Sequence, residues 1–141
     1  MLQTLGDVLA VVGERWTLLV VREVAIGLRR FDEIREATDA PRAVLADRLK
    51  RLTVAGVLTT RSYRMPGSRE RTEYTLTEAG LDLLPVLSAF SDWGQRHLGA
   101  TALPDVMYCH GGCGSRVTAR LLCACGAEVT AHGGLVATVN R

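Results

Sequence analysis

The chain has 141 residues, 48% of them hydrophobic, 23% charged and 5% aromatic, with a formal net charge of +2. That length suits one domain with a small appendix, and the apolar fraction excludes wholesale disorder. The longest near-apolar run, Leu18 to Val21, is too short to span a bilayer, so no membrane partner is expected. Met1 to Val12 carries no basic stretch and no small-residue cleavage site, and the four cysteines all lie beyond residue 108. Both features point to a reducing, cytoplasmic compartment rather than a secreted disulfide scaffold. Charge is segregated: residues 41–74 hold eight basic groups against three acids, net +5, and the remainder is −3. A short segment so biased expects an acidic partner, of which nucleic acid is the commonest.

Leu2, Leu5, Val8, Leu9 and Val12 recur at helical spacing, with Gly13 as a stop. A second helix is expected from Trp16 to Ile26, closed by Gly27. It is apolar nearly all round, the mark of a central core helix. Phe31, Ile34 and Ala37 predict a short third helix, with Asp32 and Glu33 complementing the dipole of its first turn. Thr38 to Pro41 make a break, in which Asp39 is expected to cap the next helix and Pro41 to enter its first turn. That next helix, 42–54, has the clearest two-faced pattern. Leu45, Leu49 and Leu52 share one face, with Val44 beside them, and Arg42, Ala46, Lys50 and Thr53 lie opposite. Val57–Tyr63 and Thr72–Leu76 read as strands joined through a Pro66-Gly67 turn. Thr77 should cap a helix reaching about Leu98, with Pro85 kinking it or separating its first turns. The expected organisation is a domain over 1–98, a linker over 99–108 and a Cys-rich tail over 109–141.

A short helix, a tight turn, a basic amphipathic helix and a basic hairpin form a winged helix-turn-helix, mainly α with a small β wing. The major groove admits one α-helix and presents a readable pattern of donors and acceptors there. Double-stranded DNA is therefore the expected partner, and Arg42, Ala43, Ala46, Lys50, Arg51, Arg64, Arg69 and Arg71 are the candidate contacts. Arg42 sits where helix-turn-helix proteins approach base edges, and the arginines of the 58–76 wing suit phosphates. Arg48 lies off the exposed face and either meets DNA or pairs inside the domain. Asp47 and Glu73 are expected to partner arginines. Trp16 and Phe31 are expected in the core.

The stretches Arg15-Trp16-Thr17-Leu18-Leu19, Arg30-Phe31-Asp32-Glu33-Ile34, Leu45-Ala46-Asp47-Arg48-Leu49 and Glu73-Tyr74-Thr75-Leu76-Thr77-Glu78-Ala79-Gly80, with the closing Trp93-Gly94, resemble the HxlR-type winged-helix transcription regulators, relatives of the MarR group. The resemblance covers roughly residues 5–98. It implies a homodimer built from the terminal helices, with 42–54 as recognition helix, that represses or activates transcription in response to small electrophiles, oxidants or metabolites. The chain departs from the family's redox sensors in having no cysteine before its first helix. It also departs in carrying Asp39 where an aliphatic residue is common. Trp93 is expected at the dimer core.

In the tail, Cys109, His110, Cys113, Cys123 and Cys125 fall within 17 residues. Zinc takes four thiolate or imidazole ligands in a tetrahedron. His110-x2-Cys113-Gly114 has the spacing of a half-site, and Cys123-Ala124-Cys125 is one residue shorter than a usual knuckle. A one-zinc ribbon would use Cys113, Cys125 and two of Cys109, His110 and Cys123. A metal-free hairpin cap with free or reversibly oxidised thiols, and a static disulfide, are the alternatives. Three functions stay open: a DNA-binding regulator responding to a small molecule or redox signal, a thiol-redox or metal-responsive protein using the winged domain as scaffold, and an interaction module without DNA. No enzyme is expected, because phosphate-binding loops, nucleophile elbows and paired carboxylates are missing from the sequence.

Overall fold

A computed structural model describes residues 4–99 and 106–139. Leu2 and most of the expected linker lie outside them. The elements run α1 (Leu5–Val12), α2 (Arg15–Ala25), α3 (Phe31–Thr38), α4 (Arg42–Val54), β1 (Leu58–Tyr63), β2 (Arg71–Leu76), α5 (Glu78–Leu81), α6 (Leu84–His97), β3 (Leu121–Leu122) and β4 (Glu128–Val129). By contact the chain divides into two units, 1–87 and 88–141, a division that falls inside α6.

In the first unit α2 is central, burying Thr17, Val20, Val21, Glu23 and Val24. Ile34 of α3 and Leu45, Leu49 and Leu52 of α4 complete the core, all at most 1% exposed. The leucine spacing of α4 thus turns one face inward and leaves Arg42, Ala43, Ala46 and Lys50 facing solvent. α1 is closed at its start by a capping box, Thr4 N–H to Asp7 Oδ2 at 2.9 Å and Asp7 N–H to Thr4 Oγ1 at 3.4 Å. Its apolar side chains stay uncovered: Leu5, Val8, Leu9 and Val11 are 43–72% exposed.

Asp39 does not cap α4. It closes α3 in the left-handed conformation, φ 57° and ψ 24°, its N–H bonded to Arg35 O at 2.9 Å. The chain must reverse within three residues, and Asp tolerates the left-handed step this requires. Pro41 is itself the N-cap of α4 and contributes no side-chain cap.

β1 and β2 pair antiparallel from Leu58↔Leu76 to Tyr63↔Arg71. A lone hairpin is marginal in water. Here a third strip supports it, with Tyr74 N–H donating to Arg29 O at 2.8 Å and Arg30 bridging Glu73. The wing root is held from the other side by Thr77, whose N–H reaches Val57 O at 3.0 Å and whose hydroxyl reaches Gly56 O at 2.5 Å. Gly80 lies so near that a Cβ there would meet Val57 O at 2.4 Å.

The expected long helix is two helices. α5 is one turn, capped by Thr77, whose hydroxyl accepts Gly80 N–H at 3.2 Å, and Pro85 falls in the first turn of α6, where its missing N–H costs nothing. In the second unit Arg116 binds α6 through Asp92 Oδ1 at 3.1 Å and Gln95 Oε1 at 2.5 Å. The tail folds as two small hairpins. One is tied by Val117 N–H to Tyr108 O (2.9 Å) and His110 N–H to Ser115 O (2.9 Å). The other pairs β3 with β4 from Leu121↔Val129 to Leu122↔Glu128.

Candidate nucleic-acid interface and thiol tail

α4 presents its N-terminal end at the surface because Pro41 starts the helix abruptly after the left-handed Asp39. Arg42 there is 67% exposed, with Asp32 Oδ1 3.7 Å from its Nη2 and the Phe31 ring 5.2 Å from its guanidinium. Both contacts are weak and solvated. Ala43 and Ala46 are exposed and small, leaving room beside Lys50 for another surface to approach the helix. Arg51 is turned back by Asp47, with Nε 2.9 Å from Oδ2.

In the wing, Arg64 donates from Nε to Ser68 O at 3.0 Å and so braces the turn. Arg69 and Arg71 are exposed. With Arg42 and Arg30 they line a cleft of about 580 Å³ between the start of α3, the start of α4 and the wing. The acids on that cleft are partly engaged. Glu33 accepts the backbone N–H groups of Arg29 and Arg30, both at 3.2 Å, which hold its carboxyl below the usual range.

Sequence reasoning missed Arg30. Its guanidinium lies 4.6 Å above the Tyr63 ring, fixing it at the wing edge of the cleft. Its position immediately before Phe31 was the available signal, but its partner lies 33 positions away. Arg48 turns inward: its side chain is 17% exposed and pairs with Asp47 and Glu14, so it belongs to the packing of α4 against the start of α2. Asp47 and Glu73 do partner arginines, Glu73 holding Arg61 at 2.8 Å. Trp16 and Phe31 are only half-buried, each beneath an arginine, Arg15 and Arg42. Their rings support charged groups at the surface rather than fill the centre.

All four cysteines are exposed and free, so the static disulfide is not formed. His110 Nδ1 lies 3.3 Å from Cys113 Sγ. Cys113 also accepts hydrogen bonds from the hydroxyl and then the backbone N–H of Ser115, which with His110 lower its thiol to about 7. Cys123 accepts the backbone N–H and the thiol of Cys125, which lower it too. Cys109 stands apart, bridging Arg116 across its hairpin. Among the described residues no three His, Cys, Asp or Glu side chains converge. No helix there is long and apolar enough to cross a membrane.

The profile of the HxlR-like helix-turn-helix family matches residues 11–102. The HTH-type transcriptional regulator Rv3095 of Mycobacterium tuberculosis is 39% identical over 133 residues, 92% of this chain and 82% of that one. Among solved structures, PA1607, a candidate transcription factor, superposes with a TM-score of 0.78 at 28% identity, covering 96% of this chain and 94% of the other. The reduced form of the redox regulator HypR superposes with a TM-score of 0.59 at 25% identity, covering 70% of this chain and 98% of the other.

Proposed function

Because the chain belongs to the HxlR-like helix-turn-helix family of transcription regulators, we propose that it binds a pseudo-palindromic operator as a homodimer, reading bases with α4 and gripping phosphates with the wing. The observation that carries this reading is the cleft on which Arg30, Arg42, Arg69 and Arg71 meet beside the exposed start of α4. A helix entering the major groove needs small side chains to let it approach and a basic group near its N-terminus. Ala43, Ala46 and Arg42 are of those kinds. The wing arginines add charge without sequence information.

Dimerisation is supported by apolar side chains left without cover in one chain. These are Leu5, Val8 and Leu9 on α1, and Val86, Phe90 and Trp93 on α6, the latter three 43–59% exposed. Two-fold symmetry would set half-sites about one helical turn (~34 Å) apart. Response to a small-molecule or redox signal is supported by the likeness to HypR and by the exposed thiols.

The test is a gel-shift titration against the DNA upstream of the protein's own gene, in competitor DNA, at 50 and 200 mM salt. If Arg69 and Arg71 of both protomers meet phosphates, four contacts in all, affinity falls about 150-fold over that range, and specific retention survives competitor. Retention erased by competitor, or unaffected by salt, refutes the reading.

A further inference from the structure

Residues that face one another on antiparallel strands share a side of the sheet, and the sides alternate along each strand. In the wing, Leu58 pairs with Leu76, and Leu58 is 2% exposed, so the even-numbered positions lie over the core. Tyr63↔Arg71 and Arg61↔Glu73 therefore lie on the outer side. Arg30 bridges Glu73 in the antiparallel sense, which sets it on that outer side as a third column beside the hairpin. From there its guanidinium crosses to Tyr63 and stacks 4.6 Å above the ring.

The stack holds Arg30 without using it up. A ring engages the flat of a guanidinium and leaves the N–H edge able to donate. Other arginines of this unit spend that edge inside the chain. Arg29 donates to Val24 O at 3.0 Å, Arg61 to Glu73 at 2.8 Å and Arg64 to Ser68 O at 3.0 Å, and Arg48 pairs with Asp47 and Glu14. Among the described residues no oxygen accepts from the Arg30 guanidinium. The acids on its cleft are otherwise placed: Glu33 takes two backbone N–H groups, Asp32 stands 3.7 Å from Arg42, and Glu70 is exposed on the wing. Arg30 is thus a cation already oriented, with its donors unspent, and ordering it on a ligand costs less than ordering a free side chain.

The place of the cleft selects the ligand. It lies between the start of α4 and the wing. With α4 in the major groove and the wing on the flanking backbone, the DNA strand bordering the groove passes across it. Resting on that reading of α4 and the wing, we propose that Arg30, which belongs to neither, is a further DNA contact: it binds a backbone phosphate at the cleft, with Tyr63 as its support and Arg71 lining the same cleft. Its planar fork suits two oxygens of one phosphate. Such a contact adds affinity on any sequence and carries no base preference.

The experiment is fluorescence anisotropy of the full chain on the upstream duplex and on an unrelated duplex of equal length, from 50 to 200 mM NaCl. Each phosphate neutralised adds about 0.9 to the slope of log affinity against log salt. A dimer of Arg30→Gln should lose two contacts, a slope change of about 1.8, so that its affinity falls about 12-fold less than the parent's over that range. At any one salt concentration the loss should be the same on both duplexes within about twofold. Arg30→Lys keeps the charge and should return the slope to the parent's. Tyr63→Leu removes the support but no charge, and should weaken binding several-fold with the slope unchanged. An Arg30→Gln slope equal to the parent's overturns the proposal whatever the affinity does, because an arginine that only braces the wing would weaken binding without releasing counterions. Loss confined to the upstream duplex overturns it too, by making Arg30 a base contact. Inorganic phosphate at 10 mM and constant ionic strength tests the other source of this chemistry: displacement of the parent from DNA, absent in Arg30→Gln, would make the cleft a site for free phosphate and overturn the backbone contact. A parent chain that binds neither duplex defeats the operator reading and this proposal together, whereas a steep parental slope that Arg30→Gln shares defeats this proposal alone.

Discussion

Replacing Arg42 by Ala separates base reading from general charge. Its present attachments are slight: the Asp32 contact is 3.7 Å between two exposed groups, and the Phe31 ring is 5.2 Å away. Exposed ion pairs contribute about 0–1 kcal/mol, and an exposed cation–π contact about 0.5–1 kcal/mol. Leaving them to meet DNA therefore costs at most about 2 kcal/mol. A bidentate contact to a guanine edge supplies about 1–3 kcal/mol of discrimination against the wrong base. Arg42→Ala should thus weaken the operator complex by about 1–3 kcal/mol, roughly 5- to 150-fold, while shifting unfolding free energy by at most about 2 kcal/mol. The assay is fluorescence anisotropy on the operator and on a panel of single-base variants, with denaturant unfolding alongside. Asp32→Asn, which releases Arg42, should act oppositely and tighten binding several-fold. Equal loss on every DNA sequence would make Arg42 a phosphate contact. Unchanged affinity on the operator would remove the α4 terminus from the groove and refute the reasoning.

Three further outcomes are expected. Arg48→Met should leave operator affinity within twofold and lower stability by about 1 kcal/mol, measured by urea unfolding, because its charge is spent on Asp47 and Glu14 and both acids can regain water. Phe90→Asp combined with Trp93→Asp should convert a dimer to a monomer in analytical ultracentrifugation without unfolding it, since both side chains are more than half exposed; a persistent dimer would take α6 out of the interface. In EDTA-stripped chain, alkylation of Cys113 should be half-maximal near pH 7, slower below it where the thiol is protonated, because Ser115 and His110 hold its pKa at about 7. Tandem mass spectrometry resolves that site, and a midpoint near pH 9 would mean the turn around Cys113 does not form.

Local periodicity carried most of the fold. The Leu45, Leu49, Leu52 spacing identified the buried face of α4, because a helix repeats its facing residues whatever it packs on. Pro66-Gly67 and Thr77 likewise marked the wing turn and the start of α5 through chemistry confined to a few residues. What escaped depends on distant partners. Arg29 and Arg30 make the third strip of the wing only because Glu73 and Tyr74 are brought beside them. Asp39 looked like a helix cap because its side chain suits that role, yet the three-residue reversal put its backbone first. Arg48 and Arg42 are the same residue type on one helix; Glu14, 34 positions away, determines that the former turns inward. In the tail the spacing marked the cysteines, while the backbone pairing of Cys109 with Arg116 depends on a hairpin the spacing does not show.

The close approach at Gly80 makes the wing root and α5 behave as one mechanical part. With Val57 O 2.4 Å from where a Cβ would stand, and Thr77 fastened to Gly56 and Val57, no slack remains between the end of β2 and the first turn of α5. The hairpin therefore cannot pivot at its base without α5 moving with it.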